Sequence, residues 1–197
     1  MSKIDYRSGF QEKDIENTVI ELLEDKGYIH QRQHYDWLVN RKLDDFINEE
    51  LFIESLLRFN NVKVDVLKEV LMTIKSLSST NLFEKNQEFH KYLTDGISVD
   101  VYGEDVNPLV KLIDFEKPNN NTFEVINQIK YKEFNSTRIP DIVIYINGMP
   151  IILFELKGID SKEGTKLINA YNQIGGNSEA DGYRYDIPTL FHYNAFF

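Results

Sequence analysis

The chain has 197 residues, 42% apolar and 13% aromatic, which suffices for one sizeable core and argues against a disordered tail. It has no cysteine, which excludes disulfide frameworks, thiol nucleophiles and zinc–thiolate sites and suits a reducing cytoplasm; no apolar run of about eighteen residues or signal-peptide pattern points to a membrane or to export. Its charge of −10, from 22 basic against 32 acidic residues, opposes a polyanion, so unaided DNA binding should be weak, and any metal must sit on oxygen or histidine ligands.

The first half reads as helices. Between Gln11 and Lys26, Ile15, Val19, Leu22 and Leu23 recur at helical spacing, and Gly27 follows as a C-terminal cap. Further helical patterns run from Leu43 to Leu57, from Val64 to Leu77 through Val66, Leu67, Val70, Leu71 and Ile74, and from Glu84 to Leu93, closed by Asp95-Gly96. After Gly96 the pattern changes to short β-rich runs: Ser98 to Tyr102, Leu109 to Phe115, Phe123 to Tyr131, Asp141 to Ile146 and Ile151 to Leu156. Pro118-Asn119-Asn120-Asn121 and Asn147-Gly148 supply turns between them. A helix from Ser161 to Ile174 carries Leu167, Ile168, Tyr171 and Ile174 on one face; a loop rich in Gly, Asn and Asp covers Gly175 to Asp186, and Ile187 to Tyr193 reads as a last strand. The result is an α/β (α+β) chain in a single domain, 1–197, with a core of about 11–27 and 97–197 and a helical insertion of about 41–95. Its apolar end, Asn194-Ala195-Phe196-Phe197, reads as part of a longer polypeptide.

The chemistry concentrates in Ile139-Pro140-Asp141 and, after thirteen intervening residues, Glu155-Leu156-Lys157, a pattern of the form PD-x-ExK. On a strand Glu155 and Lys157 project to one face while Leu156 turns to the other, so one strand offers a carboxylate beside an amine. Asn147-Gly148 folds the two strands into a hairpin, and parity then decides whether Asp141 joins them. A two-residue turn alone sets Asp141 opposite Phe154, on the wrong face. A three-residue connection Asn147-Gly148-Met149, or an equivalent bulge, sets it opposite Glu155. The odd-numbered connection is therefore expected, with Asp141 and Glu155 sharing Mg²⁺ and Lys157 orienting water or stabilising charge on the phosphorane during phosphodiester hydrolysis. The plain alternative is a solvated strand end beside a turn. Against it, Ile-Val-Ile-Tyr-Ile and Ile-Ile-Leu-Phe are apolar on both faces, as central strands are, so charges at their ends need a reason.

A resemblance extends well beyond this motif. Arg138-Ile-Pro-Asp141, Val143-Ile-Tyr-Ile-Asn-Gly-Met-Pro-Ile-Ile152, Phe154-Glu-Leu-Lys157, Gln173 and Ile187-Pro-Thr-Leu-Phe-His-Tyr-Asn194 form one group of matching segments. Upstream, Tyr92-Leu-Thr-Asp-Gly-Ile97, Val110-Lys-Leu-Ile-Asp-Phe115, Asn120-Asn121 and Asn127-Gln128 form another. Together they resemble the N-terminal PD-(D/E)xK endonuclease domain of the restriction subunit of type I restriction-modification enzymes, over most of residues 11–197.

That resemblance implies a restriction-endonuclease-like core of helix, three strands, helix and strand with a mixed sheet, and Asp141, Glu155 and Lys157 as the catalytic set. It also implies a glutamate on the first helix, here Glu16, as a further metal and site residue, and Gln173 as a site-supporting and DNA-contacting one. Family members often carry a tyrosine four positions after that glutamine. This chain has Asn177 there, followed later by Tyr183 and Tyr185, which leaves the tyrosine's role open. The implied partners are double-stranded DNA and the specificity and methyltransferase subunits. ATP would serve only the full-length subunit, because no G-x-x-x-x-G-K-[ST] motif occurs here. Lys130, Arg138, Lys162 and Lys166 could receive phosphates or stand as solvated surface. His30 and His34, four apart, lack a third ligand and read as structural or exposed. Competing functions are a self-standing repair or junction nuclease with the same motif, and a docking module of the same fold that does not cleave.

Overall fold

The computed structural model describes residues 11–100, 107–158, 163–175 and 182–195, with the backbone alone for 163–166. In chain order the elements are α1 (Glu12–Glu24), β1 (Ile29–His30), α2 (Asp36–Asn40), α3 (Glu49–Leu57), α4 (Val64–Lys75), α5 (Leu82–Asp95), β2 (Ile97–Ser98) and β3 (Leu109–Val110). They continue with β4 (Phe123–Asn127), β5 (Tyr131–Glu133), β6 (Ser136–Arg138), β7 (Ile142–Ile146), β8 (Met149–Phe154), α6 (Glu163–Ile174), α7 (Tyr183–Asp186) and α8 (Pro188–Tyr193).

A four-stranded mixed sheet in the order β1-β4-β7-β8 forms the centre, with β1 parallel to β4 and the remaining pairs antiparallel. Because side chains alternate along each strand, the sheet has two different faces. One meets α1 through a small cluster of Ile20, Val125 and Ile142, flanked by Val19, Leu23, Phe154 and Leu156. The other, bearing Ile126, Val143 and Tyr145, meets the larger core built by α3, α4, α5 and α8. All five expected residues of α4, from Val66 to Ile74, lie in that core. In α1, by contrast, Leu22 is exposed, because it sits two positions, about 200° around the helix, from buried Ile20.

Several expectations need correction. Helix covers only Glu49–Leu57 of the stretch 43–57, strand only Leu109–Val110 of 109–115, and the expected loop 175–186 ends in the short helix α7. The segment Ile187 to Tyr193 is helix α8, not a strand: Pro188 occupies its first turn, where a missing N–H costs nothing, and Ile187, Leu190 and Phe191 are buried at helical spacing. Leu167, Ile168 and Tyr171 of α6 face outward among the described residues, and Ile174 of that set packs against the core. The run Ser98 to Tyr102 contributes only the two-residue β2 with Ile97, and Val101 and Tyr102 lie outside the described residues. No helix among the described residues is long and apolar enough to cross a membrane.

The β7–β8 hairpin resolves the parity question. Ile146 pairs with Met149, so the turn is Asn147-Gly148, with positive φ of 51° and 78° as a two-residue hairpin turn of this hand requires. The register then shifts between Ile144 and Tyr145, which pair with Ile152 and Pro150 and leave Ile151 as the extra residue of a bulge. Beyond it Ile142 pairs with Phe154, so the next residues outward, Asp141 and Glu155, stand opposite each other. The turn itself is buried. The Asn147 side chain accepts from the Thr122 amide at 2.8 Å and donates to the Leu112 carbonyl and the Asn121 side chain, each at 2.9 Å.

Candidate active site

At the open end of the hairpin, Asp141, Glu155 and Lys157 come together. Asp141 precedes β7, and its Oδ2 accepts the backbone N–H of Leu156 at 2.6 Å. Lys157 Nζ donates to Glu155 Oε1 at 2.7 Å and stands 3.9 Å from Glu12 at the start of α1. Leu156, between them, turns toward the small cluster under α1, as alternation demands.

Glu16 lies on α1 one turn before buried Ile20, and both its oxygens are held: Oε1 accepts from Asn127 Nδ2 at 2.6 Å and Oε2 from Gln128 Nε2 at 2.8 Å. The same Gln128 amide also donates to Asp141 Oδ1 at 3.2 Å. Glu16 is therefore linked to Asp141 through an intervening amide. Gln128 reaches both carboxylates from a left-handed backbone, with φ of 51°, a conformation unfavourable for a residue with a Cβ. Its own N–H donates to the Asp141 carbonyl at 2.9 Å, which holds that turn against β7. His30 enters as a support, its Nε2 within 3.0 Å of Asn127 Oδ1, whereas His34 is exposed; the two do not form a pair.

On the opposite side Gln173 of α6 donates through Nε2 to the Tyr183 hydroxyl at 2.7 Å, and that hydroxyl donates to Glu155 Oε2 at 3.1 Å. Tyr183 is the residue whose role the sequence left open. Ten positions separate it from Gln173, so no helical spacing could connect them, and only the fold brings them together.

The Glu155 side chain is 2% exposed. Burial, together with the neighbouring charge of Asp141, pushes its carboxyl above the ordinary range, although the Lys157 ammonium and the Tyr183 hydroxyl pull the other way. Burial alone would lower Lys157, but its hydrogen bond to Glu155 and the charges of Glu155, Glu12 and Asp141 outweigh that, so the amine is raised. The Tyr183 hydroxyl is raised by burial and by the Glu155 charge, and stays protonated as a donor.

Among the described residues no three His, Asp or Glu side chains form a ready-made group for an ion. The donors that do converge, Asp141 and Glu155, are hard oxygens in opposition, and Mg²⁺ is commonly held by one or two carboxylates with water and substrate phosphate completing its shell. The pair fits that ion, while Glu16 stands one amide further out. Of the basic candidates, Arg138 is turned to Asp186, Nε to Oδ2 at 2.7 Å, and Lys130 is exposed. Lys162 and the Lys166 side chain lie outside the described residues.

A mixed α/β domain that sets two opposed carboxylates and a lysine at the end of a central hairpin defines a candidate active site. Comparison with known proteins sharpens this: the family described as type I restriction enzyme R protein N terminus matches residues 9–197, and the chain belongs to that family. It is 29% identical over 192 residues to the type I restriction enzyme HindI endonuclease subunit of Haemophilus influenzae, covering 93% of this chain and 18% of that protein. It is also 29% identical over 188 residues to a Methanocaldococcus jannaschii protein named for the MjaIXP type I restriction enzyme endonuclease subunit, covering 91% of this chain and 17% of that one. The chain thus spans less than a fifth of the length of these curated relatives.

Proposed function

We propose that this chain is the DNA-cutting module of a type I restriction enzyme's restriction subunit, hydrolysing phosphodiester bonds with Mg²⁺ in the cytoplasm. The observation that carries the reading is the convergence of Asp141, Glu155 and Lys157 on one end of the β7–β8 hairpin, each held by a named partner. Asp141 and Glu155 would hold the ion, which when bound offsets phosphate charge and acidifies a water.

The chain's own residues supply the rest. Leu156 N–H fixes one oxygen of Asp141, and Tyr183, backed by Gln173, fixes one oxygen of Glu155, so neither carboxylate must reorganise when DNA arrives. Lys157 keeps its proton throughout the neutral range and carries positive charge to where the phosphorane becomes more negative. Glu16, Asn127 and Gln128 steady Asp141 from the α1 side.

A charge of −10 opposes independent DNA binding, so the duplex would be delivered by other parts of a larger assembly: an ATP-driven translocase elsewhere in the subunit, with specificity and methyltransferase subunits as partners. The test is ATP- and Mg²⁺-dependent plasmid cleavage by the full-length subunit with its partners, comparing wild type with Asp141→Ala and Lys157→Ala. Lost cutting with ATPase retained supports the reading; unchanged cutting removes it.

A further inference from the structure

Arg138 carries a positive charge close to the site, yet its guanidinium points into the protein. Nε donates to Asp186 Oδ2 at 2.7 Å, a terminal nitrogen pairs with the same oxygen, and the group lies 5.7 Å from the centre of the Tyr183 ring. The other oxygen of Asp186 accepts from Ser136 Oγ at 2.9 Å. Three residues on, Thr189 is bound through its N–H and hydroxyl to the two oxygens of Glu133, at 3.0 and 2.7 Å. The β5–β6 hairpin thus grips the α7–α8 joint at two points.

What this grip holds is Tyr183, the first residue of α7. A helix of four residues has no stability of its own, so its position must come from tertiary contacts. The Arg138–Asp186 pair supplies a strong one, with side chains only 35% and 20% exposed. At the far end of the same short helix the Tyr183 hydroxyl sits 3.1 Å from Glu155 Oε2 and 3.4 Å from the Ile139 carbonyl. We propose that Arg138 and Asp186 are positioning residues: they seat α7 so that Tyr183 holds Glu155, and Arg138 serves cleavage through Tyr183 and not through a DNA phosphate. The catalytic consequence rests on the function proposed above, whereas the seating of α7 does not.

The experiment uses the full-length subunit with its partner subunits, carrying Arg138→Gln, Asp186→Asn, Tyr183→Phe, or Asp186→Asn with Tyr183→Phe. Each single variant should lower the cleavage kcat roughly tenfold, the scale of one lost hydrogen bond to a charged group, with the KM for DNA and the ATPase rate unchanged. The double variant should fall no further than Tyr183→Phe alone, because both changes break one device. Hydrogen exchange of the peptide covering 182–195 should quicken in Asp186→Asn and Arg138→Gln and stay as in wild type in Tyr183→Phe. Two results would overturn the proposal: unchanged exchange in Asp186→Asn, or an Arg138→Gln variant that weakens DNA affinity and flattens its salt dependence while Asp186→Asn cuts normally. If Asp141→Ala still cuts, the nuclease reading fails, and the exchange measurement still decides the clamp.

Discussion

Asp141 and Leu156 are joined by a 2.6 Å hydrogen bond from the Leu156 amide to the Asp141 carboxylate. Since Leu156 lies between Glu155 and Lys157, this one bond fixes Asp141 relative to both. Asp141→Asn keeps an oxygen to accept the bond but loses the charge a divalent ion requires. Its stability should stay within about 1 kcal/mol of wild type, while cutting falls by roughly 10²-fold or more. Asp141→Ala should lose cutting equally and also about 1–3 kcal/mol of stability, because the amide is left without a partner. Denaturant unfolding and Mg²⁺ calorimetry separate the two; an Asn variant that still binds Mg²⁺ and cuts would remove Asp141 from the site.

Lys157→Ala leaves Glu155 buried beside Asp141 without its ammonium partner. The carboxyl, already raised by burial, then rises further. A group whose folded pKa lies above its unfolded value contributes full stability below the unfolded value and loses it as pH rises through the folded one. The variant's deficit should therefore be small near pH 4 and grow toward pH 8, on the order of 1–3 kcal/mol for a pair that is not wholly buried. Thermal unfolding across that range checks this, and a deficit independent of pH would show that the ion pair is not its source.

Gly148 tests the turn that sets the register. At φ 78° a side chain is strained, and an added Cβ would lie 2.4 Å from the Asn48 carbonyl and 2.9 Å from the Phe52 amide, both backbone atoms that cannot rotate away. Gly148→Ala should cost about 2–4 kcal/mol, from strain and displacement of α3 together. If urea unfolding gives less than about 1 kcal/mol, the hairpin does not press on α3 as described.

How far the sequence reveals this arrangement depends on the range of the interactions. Asp141, Glu155 and Lys157 were legible because strand alternation and turn parity are local rules, and the rule even called for an extra residue, which the chain places at Ile151 and not in the turn. The α8 segment misled because Ile187-Pro-Thr-Leu-Phe is rich in strand-prone residues, and the packing of Leu190 and Phe191 overrode that preference. Tyr183, Asn127, Gln128 and Asp186 could not be assigned roles from local pattern, since each acts across a gap that only tertiary structure closes. The strand β1 was missed for the same reason: two residues, Ile29 and His30, join the sheet because β4 offers an edge.

Glu124 carries the last prediction, away from the site. It lies on β4, 2% exposed, and faces the larger core; Gln31 Nε2 donates to its Oε1 at 2.6 Å. Burial raises its carboxyl above the ordinary value of 4.5, and the Gln31 amide and the neighbouring Tyr35 hydroxyl offset only part of this. The wild-type protein is then penalised as pH climbs through the raised value and the buried carboxyl ionises, whereas Glu124→Gln keeps similar shape and never ionises. The variant should match wild type near pH 4 and exceed it at pH 8, by about 2–4 °C in Tm for each kcal/mol relieved in a chain of this size. Cutting should be unchanged, since Glu124 points from the sheet face opposite α1. A Tm difference equal at both pH values would mean that the Glu124 carboxyl titrates alike in the folded and unfolded chain, so that burial does not raise it.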